Sequence, residues 1–283
     1  MRDLISDYCG IFFDDESRYI FERRLTRRLE VIGLDNFRDY YRFLLYNKGK
    51  SEELDEIIDI LTVNETYFFR EQRQFQALIE EIAPELMRAK SESKRLRIWS
   101  AGCASGEEPY TIAMLILENE SLFRGWDIEV LGSDINQRVL QKARRGVYRK
   151  NSFRTTDQFY LRKYFEGDDS GYRIKDNVRK LVQFSCLNLL DTNKMKFVDG
   201  MDVIFCRNVL IYFHTEAKKK AVESFNETLM DGGYLLLGHA ESLMNISTSF
   251  SLKHLKNDMV YQKPKKAEVS MTDESLFRMV WGQ

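Results

Sequence analysis

The chain has few cysteines and histidines, and neither type is grouped as a metal site or a disulfide framework requires. Its 283 residues include only three histidines and four cysteines: Cys9, Cys103, Cys186 and Cys206. Because no two cysteines form a CxxC pair, zinc ligation and a disulfide framework are both disfavoured. We therefore predict a reduced protein that has no metal centre.

Long apolar runs and an excess of one charge are also missing. The opening MRDLISDYCG lacks the apolar core of a signal peptide, and no apolar run is long enough to cross a bilayer. Lys and Arg number 43 against 44 Asp and Glu, a formal net charge of -1. Any electrostatic recognition must then come from a local patch. We expect a cytoplasmic protein that neither binds nucleic acid nor inserts into a membrane.

Residues 1–90 contain helical patterns and no strand-like run. In YIFERRLTRRLEVIG (residues 19–33) apolar residues recur every three or four positions, and Gly33 is a natural end signal. Pro84 predicts a kink or a break in the last helix of this region. These patterns predict an all-helical N-terminal domain over residues 1–90.

From Leu96 onward, strand-like and helix-like segments alternate. Such alternation predicts a mostly parallel sheet with helices on both faces, here over residues 91–265. KLVQFSCLNLL and MDVIFCRNVLIYF are each predicted to contain a buried strand, and TEAKKKAVESFNETLMDGG a helix that ends at its glycines. Between Gly146 and Lys180 the alternation lapses, and SGYRIKD predicts a small inserted hairpin.

The first strand–turn–helix, RIWSAGCASGEEPYTIAM, contains the first candidate site. Small residues including Gly102 and Gly106 separate strand and helix, a composition that lets backbone approach a ligand closely. The turn is neither the dinucleotide GxGxxG nor a phosphate loop. Glu107 and Glu108 open the helix and would repel a pyrophosphate, so a ligand with a positive group fits better. The alternative is a small-residue turn capped by acids.

Polar residues also follow three later strands. Asp134 ends the second strand, where an acid is well placed to bind ribose hydroxyls, or it caps the next helix. Asn188 and Leu189 suit the edge and the face of an adenine. Arg207 and Asn208 follow a very apolar strand, and the arginine needs a partner there, either a ligand or a buried carboxylate. The glycine turn, the acidic start of the helix after it and Asp134 together indicate an adenosyl ligand without phosphates, S-adenosylmethionine.

Six segments occur in an order that resembles the chemoreceptor glutamate O-methyltransferases of bacterial chemotaxis, the CheR-type family. They are LTVNETYFFRE, IWSAGCASGEEPYTIA, LGSDIN, CLNLLD, IFCRNVLIYF and GHAES, and the similarity runs from about Gly10 to Lys263. The resemblance implies an α/β fold: a small helical domain, then a Rossmann-like class I methyltransferase domain with an antiparallel β-subdomain at about 165–182. It implies methyl transfer from S-adenosylmethionine to glutamates in the cytoplasmic helical region of chemoreceptors, with S-adenosylhomocysteine as the second product. We expect the protein to act as a monomer.

The same resemblance implies roles for individual side chains. The cofactor would be bound by Asn64, Thr66, Arg70, Gly102, Glu108, Asp134, Asn188, Leu189, Arg207 and Asn208. Arg70, Arg207 and Tyr212 would act at the centre of methyl transfer. No general base is needed, because a glutamate with a pKa of about 4.3 is already ionised at neutral pH.

A basic face is the candidate surface for the receptor. Arg24, Arg27 and Arg28 lie at i, i+3 and i+4 of one predicted helix and so share one side of it. The resemblance implies that this helix approaches acidic receptor helices. The alternative is a solvated face that pairs with Glu22 and Glu30.

Two features of the chain depart from the CheR-type pattern, and its residues also fit two rival functions. The β-subdomain lacks a Gly-Gly pair after EGDDSG, so we do not expect it to dock a receptor tail peptide. The tail over residues 266–283 contains Leu276, Phe277 and Trp281 and is expected to pack on the body or bind a partner. The rivals are a methyltransferase for another signalling protein or a small molecule, and a non-catalytic S-adenosylmethionine sensor.

Overall fold

The structure is a computed structural model and describes residues 1–13, 16, 18–168 and 170–265. Within them the α-helices are α1 (Arg2–Cys9), α2 (Arg18–Ile32), α3 (Phe37–Tyr46), α4 (Lys50–Leu61), α5 (Gln72–Ala77), α6 (Ala83–Ala89), α7 (Glu107–Glu118), α8 (Glu120–Phe123), α9 (Gln137–Arg145), α10 (Gln158–Tyr164), α11 (Asp176–Arg179), α12 (Thr192–Met195) and α13 (Thr215–Thr228). The strands are β1 (Arg95–Ala101), β2 (Asp127–Asp134), β3 (Val147–Tyr148), β4 (Phe165–Asp168), β5 (Gly171–Ile174), β6 (Val182–Cys186), β7 (Met201–Cys206), β8 (Leu229–Leu237), β9 (Ser251–His254) and β10 (Met259–Gln262).

Helices α1 to α4 form a bundle around a core of their own. Leu25 on α2 is buried against apolar residues of α1, α3 and α4, among them Ile5, Tyr40 and Ile57. The predicted apolar stripe of α2 is therefore confirmed as its core-facing side. Gly33 follows the helix with a φ of 72°, in the left-handed region that glycine adopts without strain.

The next helical stretch packs with the sheet rather than with this bundle. Phe75, Leu78 and Leu86 belong to the same buried cluster as residues of β1 and β7. We therefore propose a domain junction near residues 62–64 instead of residue 90. Of the predicted kink or break at Pro84, the break is wrong, because α5 continues through a π-helical turn (Leu78–Ile82) into α6. Pro84 follows this turn by two residues and has no N–H to donate to it, so the irregular helical turn lies where the proline cannot complete the regular hydrogen bonding.

The main sheet has seven strands in the order β6-β2-β1-β7-β8-β10-β9. Strands β6, β2, β1, β7 and β8 are parallel, while β10 and β9 are antiparallel additions at one edge. Alternate residues of a strand point to opposite faces: Ile98 of β1 joins one apolar core and Trp99 the other. This confirms the predicted α/β sheet covered on both sides. The carboxyl ends of β1, β2, β6 and β7 meet at one edge.

Two predictions about the strands are wrong. Strand β6 has only β2 as a neighbour, so only Val182 of its five residues is buried. The predicted buried strand is an edge strand there, whereas all six residues of β7 are buried as predicted. Helix α13 ends at Thr228, and Gly232 and Gly233 lie inside β8, whose pairing with β7 contains a register shift.

The inserted hairpin is confirmed, as β4 and β5. A third strand, β3, pairs with β5 through Val147 opposite Arg173, so the small antiparallel sheet also draws on residues upstream of the hairpin. Over the ranges that the structure describes, no helix combines the length and apolarity needed to span a bilayer. The predicted packing of the 266–283 tail lies outside the described residues.

Candidate functional site

A cavity of about 340 Å³ lies where the carboxyl edge of the sheet meets the helical bundle. The structure places all ten predicted cofactor-binding residues in its lining, together with Tyr212 and Arg24. The bundle contributes residues that we did not predict: Cys9, Ile11, Phe12, Phe13, Ile20 and Leu61. Apolar periodicity alone does not distinguish such residues from ordinary core residues.

The segment LTVNETYFFREQRQF enters the site with two anchored aromatics. Phe68 and Phe69 are buried, and their N–H groups donate to the Ser152 carbonyl at 2.9 Å and the Thr111 hydroxyl at 3.2 Å. Phe69 has a φ of 60°, a left-handed conformation that is costly for a bulky side chain. Tyr67 is not an anchor of this kind, because it is only half-buried and is among the residues that line the cavity. The strained backbone indicates that the position of this segment matters.

Gly102 explains why the first turn needs a residue without a side chain. Its φ is 77°, and its N–H donates to the Ser133 carbonyl at 2.8 Å. A Cβ atom at this position would lie 2.4 Å from Cγ2 of Val209. The turn therefore packs directly against the loop that follows β7.

The two glutamates at the start of α7 face different surroundings. Glu107 accepts from the hydroxyls of Ser105 at 2.7 Å and Ser152 at 3.0 Å, outside the cavity lining, and burial raises its pKa. Glu108 lines the cavity and accepts from the Ser100 hydroxyl at 2.7 Å. The structure thus gives Glu108, rather than Glu107, access to a ligand.

Asp134 is held by backbone groups at the end of β2. One carboxylate oxygen accepts from the Ala104 N–H and the other from the Asn136 N–H, each at 2.8 Å. Burial raises its pKa to about 6, although these hydrogen bonds oppose the shift. The alternative reading of Asp134 as a helix cap is wrong, because the Asn136 side chain caps α9.

Of the two partners predicted for Arg207, a ligand or a buried carboxylate, the structure shows the carboxylate. Its side chain is 2% exposed and ion-pairs with Glu108 at 3.0 Å and Glu71 at 3.1 Å. It also donates to the Arg70 carbonyl. Its Nε lacks a hydrogen-bond partner among the described residues, in a side chain that lines the cavity. Arg207 therefore clamps two walls of the site and leaves one donor for a ligand.

The later strand ends are tied to the bundle. The Asn188 side chain donates to the Tyr8 carbonyl at 2.6 Å. The segment after α1 runs beside the loop after β7: Ile11 and Phe213 form an antiparallel bridge, and the Phe12 N–H donates to the Tyr212 carbonyl at 2.8 Å. Residues at opposite ends of the sequence thus form one wall of the cavity.

Glu241 in GHAES is a structural residue that the sequence analysis missed. Its carboxylate accepts from the backbone N–H groups of Asn208 at 2.7 Å, Gly238 at 2.7 Å, Val209 at 3.0 Å and Ile211 at 3.3 Å. Burial raises its pKa. An acid three residues after a strand-ending glycine was the available signal. The His214 side chain, by contrast, caps α13 by accepting from the Ala217 N–H.

The structure does not present the three arginines of α2 as one free basic face. Arg28 donates two hydrogen bonds to the buried Glu53 carboxylate, at 2.8 and 2.6 Å. Arg24 donates to the Leu61 carbonyl at 2.8 Å and lines the cavity. Arg27 remains exposed. The alternative partners Glu22 and Glu30 are not those of Arg28, which reaches across to α4.

Two family models together match most of this sequence. "CheR methyltransferase, all-alpha domain" matches residues 1–62, and "CheR methyltransferase, SAM binding domain" matches residues 64–259. This chain belongs to the CheR methyltransferase family. As a member of it, the protein is a methyltransferase whose cofactor is S-adenosylmethionine.

Named relatives of this CheR-family chain cover most of its length. It is 41% identical over 268 residues to "Chemotaxis protein methyltransferase 2" of Vibrio cholerae, covering 94% of this chain and 92% of that protein. It is 39% identical over 238 residues to "Chemotaxis protein methyltransferase" of Borreliella burgdorferi, with 83% of each covered. It is 37% identical over 256 residues to the Salmonella typhimurium protein of the same name, with 88% and 85% covered.

The lining of the cavity suits this cofactor. S-adenosylmethionine carries an ammonium and a sulfonium group, both positive, and one carboxylate. Glu108 and Asp134 contribute carboxylates and Arg70 a guanidinium to the lining. The unpartnered Nε of Arg207 is a buried donor that an acceptor on the cofactor would satisfy. The cavity volume of about 340 Å³ also falls within the range of small-ligand sites.

Proposed function

We propose that this CheR-family protein transfers the methyl group of S-adenosylmethionine to glutamate side chains of chemoreceptors, where it forms methyl esters. The relatives named as chemotaxis protein methyltransferases support the pathway, because they match this chain over most of both lengths. The observation that carries the proposal is the cavity shared by the helical bundle and the sheet, with Arg70 and Tyr212 in its lining.

When bound, the cofactor supplies a methyl group on a positively charged sulfur: a substrate carboxylate oxygen would bond to the methyl carbon as the carbon–sulfur bond breaks, and the sulfur would leave as a neutral thioether. The protein has to bring the two reactants into line and exclude water. We propose that Glu108 and Asp134 hold the cofactor, and that the buried Arg207 keeps Glu108 in place. Arg70, whose side chain is 29% exposed, is placed to meet a glutamate that enters from solvent.

Orientation by hydrogen bonding suits Arg70 better than a tight ion pair with the substrate, because an ion pair would make the attacking carboxylate less nucleophilic. Its guanidinium already donates to the Glu65 carbonyl at 3.0 Å and lies 5.6 Å from the centre of the Tyr67 ring. These contacts hold the side chain at the cavity in advance of substrate binding. We propose that Tyr212, which also lines the cavity, lies near the methyl group that is transferred.

We propose that the receptor is recognised on the helical bundle, in the region of α2. Only Arg27 of the three predicted arginines is exposed, and Arg28 is neutralised by Glu53 and Glu56. The acidic helical region of a chemoreceptor would therefore meet Arg27 directly, while Arg28 supports the bundle. The small antiparallel sheet has no assigned part in this recognition, in keeping with its missing Gly-Gly pair.

The decisive experiment is incubation of the protein with methyl-labelled S-adenosylmethionine and membranes that contain chemoreceptors. We expect label on the receptor that is released by mild base, as from a methyl ester. Label on a different protein would replace the chemoreceptor by another signalling substrate. Cofactor binding without any transfer would indicate a sensor, and would overturn the enzymatic proposal.

A further inference from the structure

Asn136 is a buried polar residue just beyond β2, and it makes contacts in two directions. Its side chain amide oxygen accepts from the Val139 N–H at 3.0 Å, which caps α9. Its Nδ2 donates to the Thr62 hydroxyl at 2.7 Å and to the Asp59 carbonyl at 3.3 Å. Asn136 is only 1% exposed. A helix cap needs only the amide oxygen, so the contacts of Nδ2 have a different purpose.

These contacts belong to a hydrogen-bonded chain that crosses the cavity wall. The Asn136 N–H donates to one oxygen of Asp134, whose other oxygen accepts from the Ala104 N–H in the glycine turn. At the far end, Thr62 also accepts from Asn64 Nδ2 at 3.2 Å. Ala104, Asp134, Thr62 and Asn64 all line the cavity.

The other polar contacts between α9 and α4 each include at least one exposed side chain. Arg138 pairs with Asp59 at 3.0 Å; the Arg138 side chain is 54% exposed, and the Asp59 side chain is 6% exposed. Gln137 donates to Asp55 at 3.1 Å in an exposed position. A long, exposed side chain loses conformational entropy when it is held in one geometry, so these contacts fix the distance between the two parts less firmly than a bond from the buried Asn136. The bond from Asn136 to Thr62 is therefore the contact best suited to fix the two parts of the chain.

We propose that Asn136 is a positioning residue for the cofactor. It holds the 62–64 segment at a fixed distance from the Asp134 carboxylate, so that two walls of the cavity contributed by different parts of the sequence are set by one side chain. This inference rests on cofactor binding alone and is independent of which protein receives the methyl group.

The test separates the cap from the bridge. Asn136→Ser keeps an oxygen that can cap α9, but a serine side chain is too short to reach Thr62. Thr62→Val removes the acceptor of the Asn136 bond, together with the bonds of the Thr62 hydroxyl to Asn64 and to the Ile58 carbonyl, and leaves the cap of α9 untouched. We expect each variant to raise the dissociation constant of S-adenosylhomocysteine, measured by calorimetry, about tenfold. The dissociation constant of the double variant should be no higher than that of the weaker-binding single variant, because both substitutions remove the bond between Asn136 and Thr62.

A matched control is available in α3. Asn36 caps that helix through the Asp39 N–H at 3.0 Å, is exposed, and is not among the residues that line the cavity. Asn36→Ser should leave the dissociation constant unchanged. Hydrogen exchange provides a second readout: backbone amides of residues 62–66 should exchange faster in both single variants than in wild type.

A purely structural role would give a different pattern. If Asn136→Ser lowers the melting temperature but binds S-adenosylhomocysteine as wild type does, Asn136 is only a cap and the proposal is wrong. Effects of the two substitutions that add in the double variant would also overturn it. Should Asn136→Ser fail to fold, Thr62→Val alone decides, since wild-type affinity in that variant contradicts the bridge.

Discussion

Arg207 and Glu108 form a buried ion pair in which Nη1 of the arginine lies 3.0 Å from a carboxylate oxygen. The Arg207 side chain is 2% exposed, so removal of the guanidinium leaves Glu108 and Glu71 charged and without this partner. We expect Arg207→Met to lower the free energy of unfolding by about 3–5 kcal/mol, as measured by urea denaturation. A loss below about 1 kcal/mol would show that the pair is solvated rather than buried.

Arg70 should behave in the opposite way. Its side chain is 29% exposed and contacts the backbone of Glu65, so Arg70→Ala should cost little stability. Methyl transfer should fall by about 100-fold or more, because the variant lacks a donor at the reacting groups. Arg73→Ala is the matched control, since Arg73 is exposed in the same segment and does not line the cavity. Full activity in Arg70→Ala would remove Arg70 from the reaction.

Cofactor affinity should depend on the protonation of Asp134, whose pKa burial raises to about 6. If the ionised carboxylate binds the cofactor, affinity for S-adenosylhomocysteine falls about tenfold per pH unit below that pKa. The contribution of Asp134 to the free energy of unfolding changes in the opposite direction. Its pKa is higher in the folded state than in the unfolded state, so protonation at low pH relieves the cost of burying the charge and stabilises the fold. Protonation of Asp134 therefore weakens cofactor binding without itself lowering the free energy of unfolding. Asp134→Asn should bind weakly at every pH; a pH step that persists in this variant would implicate another group.

Glu241→Ala should disorganise the loop that carries Asn208. Four backbone N–H groups lose their acceptor, and Asn208 already has a φ of 60°. We expect a loss of about 3 kcal/mol in unfolding free energy, together with weaker cofactor binding. Glu216→Ala serves as the control, because that side chain is 75% exposed on α13. Equal melting curves for both variants would show that the loop does not depend on Glu241.

Charge reversal on α2 tests receptor recognition with one residue. Arg27→Glu should raise KM for the receptor and leave the affinity for S-adenosylhomocysteine unchanged. Arg28 is unsuitable for this test, since its reversal would oppose the buried Glu53. Arg42→Glu is the control: an arginine that is 66% exposed on α3 of the same bundle. If the two reversals have equal effects on KM, α2 is not the recognition surface.

The sequence predicted the site most successfully where strands end. Carboxyl ends of parallel strands meet at one edge, so polar residues that follow several buried strands lie together, as Asp134, Asn188 and Arg207 do in the cavity lining. Helical periodicity likewise predicted the core side of α2 through Leu25. These inferences need only local patterns and the rules of sheet topology.

The sequence did not predict the long-range partners of charged residues. Arg28 belongs to the helix face that we predicted to be basic, but Glu53, 25 positions later, neutralises it. The Glu241 carboxylate accepts hydrogen bonds from backbone N–H groups of a loop about thirty residues earlier in the chain, and nothing in GHAES specifies that loop. Pairings of this kind depend on the assembled fold, so composition and spacing leave them open.

The bridge between Ile11 and Phe213 has a consequence for how the protein is made. The Phe12 N–H donates to the Tyr212 carbonyl. During translation, Phe12 leaves the ribosome about 200 residues before Tyr212. The bundle core can form early, yet the cavity wall closes only when the last third of the chain emerges. We expect nascent chains arrested before Tyr212 to retain no labelled S-adenosylhomocysteine, so that ligand capture marks completed synthesis.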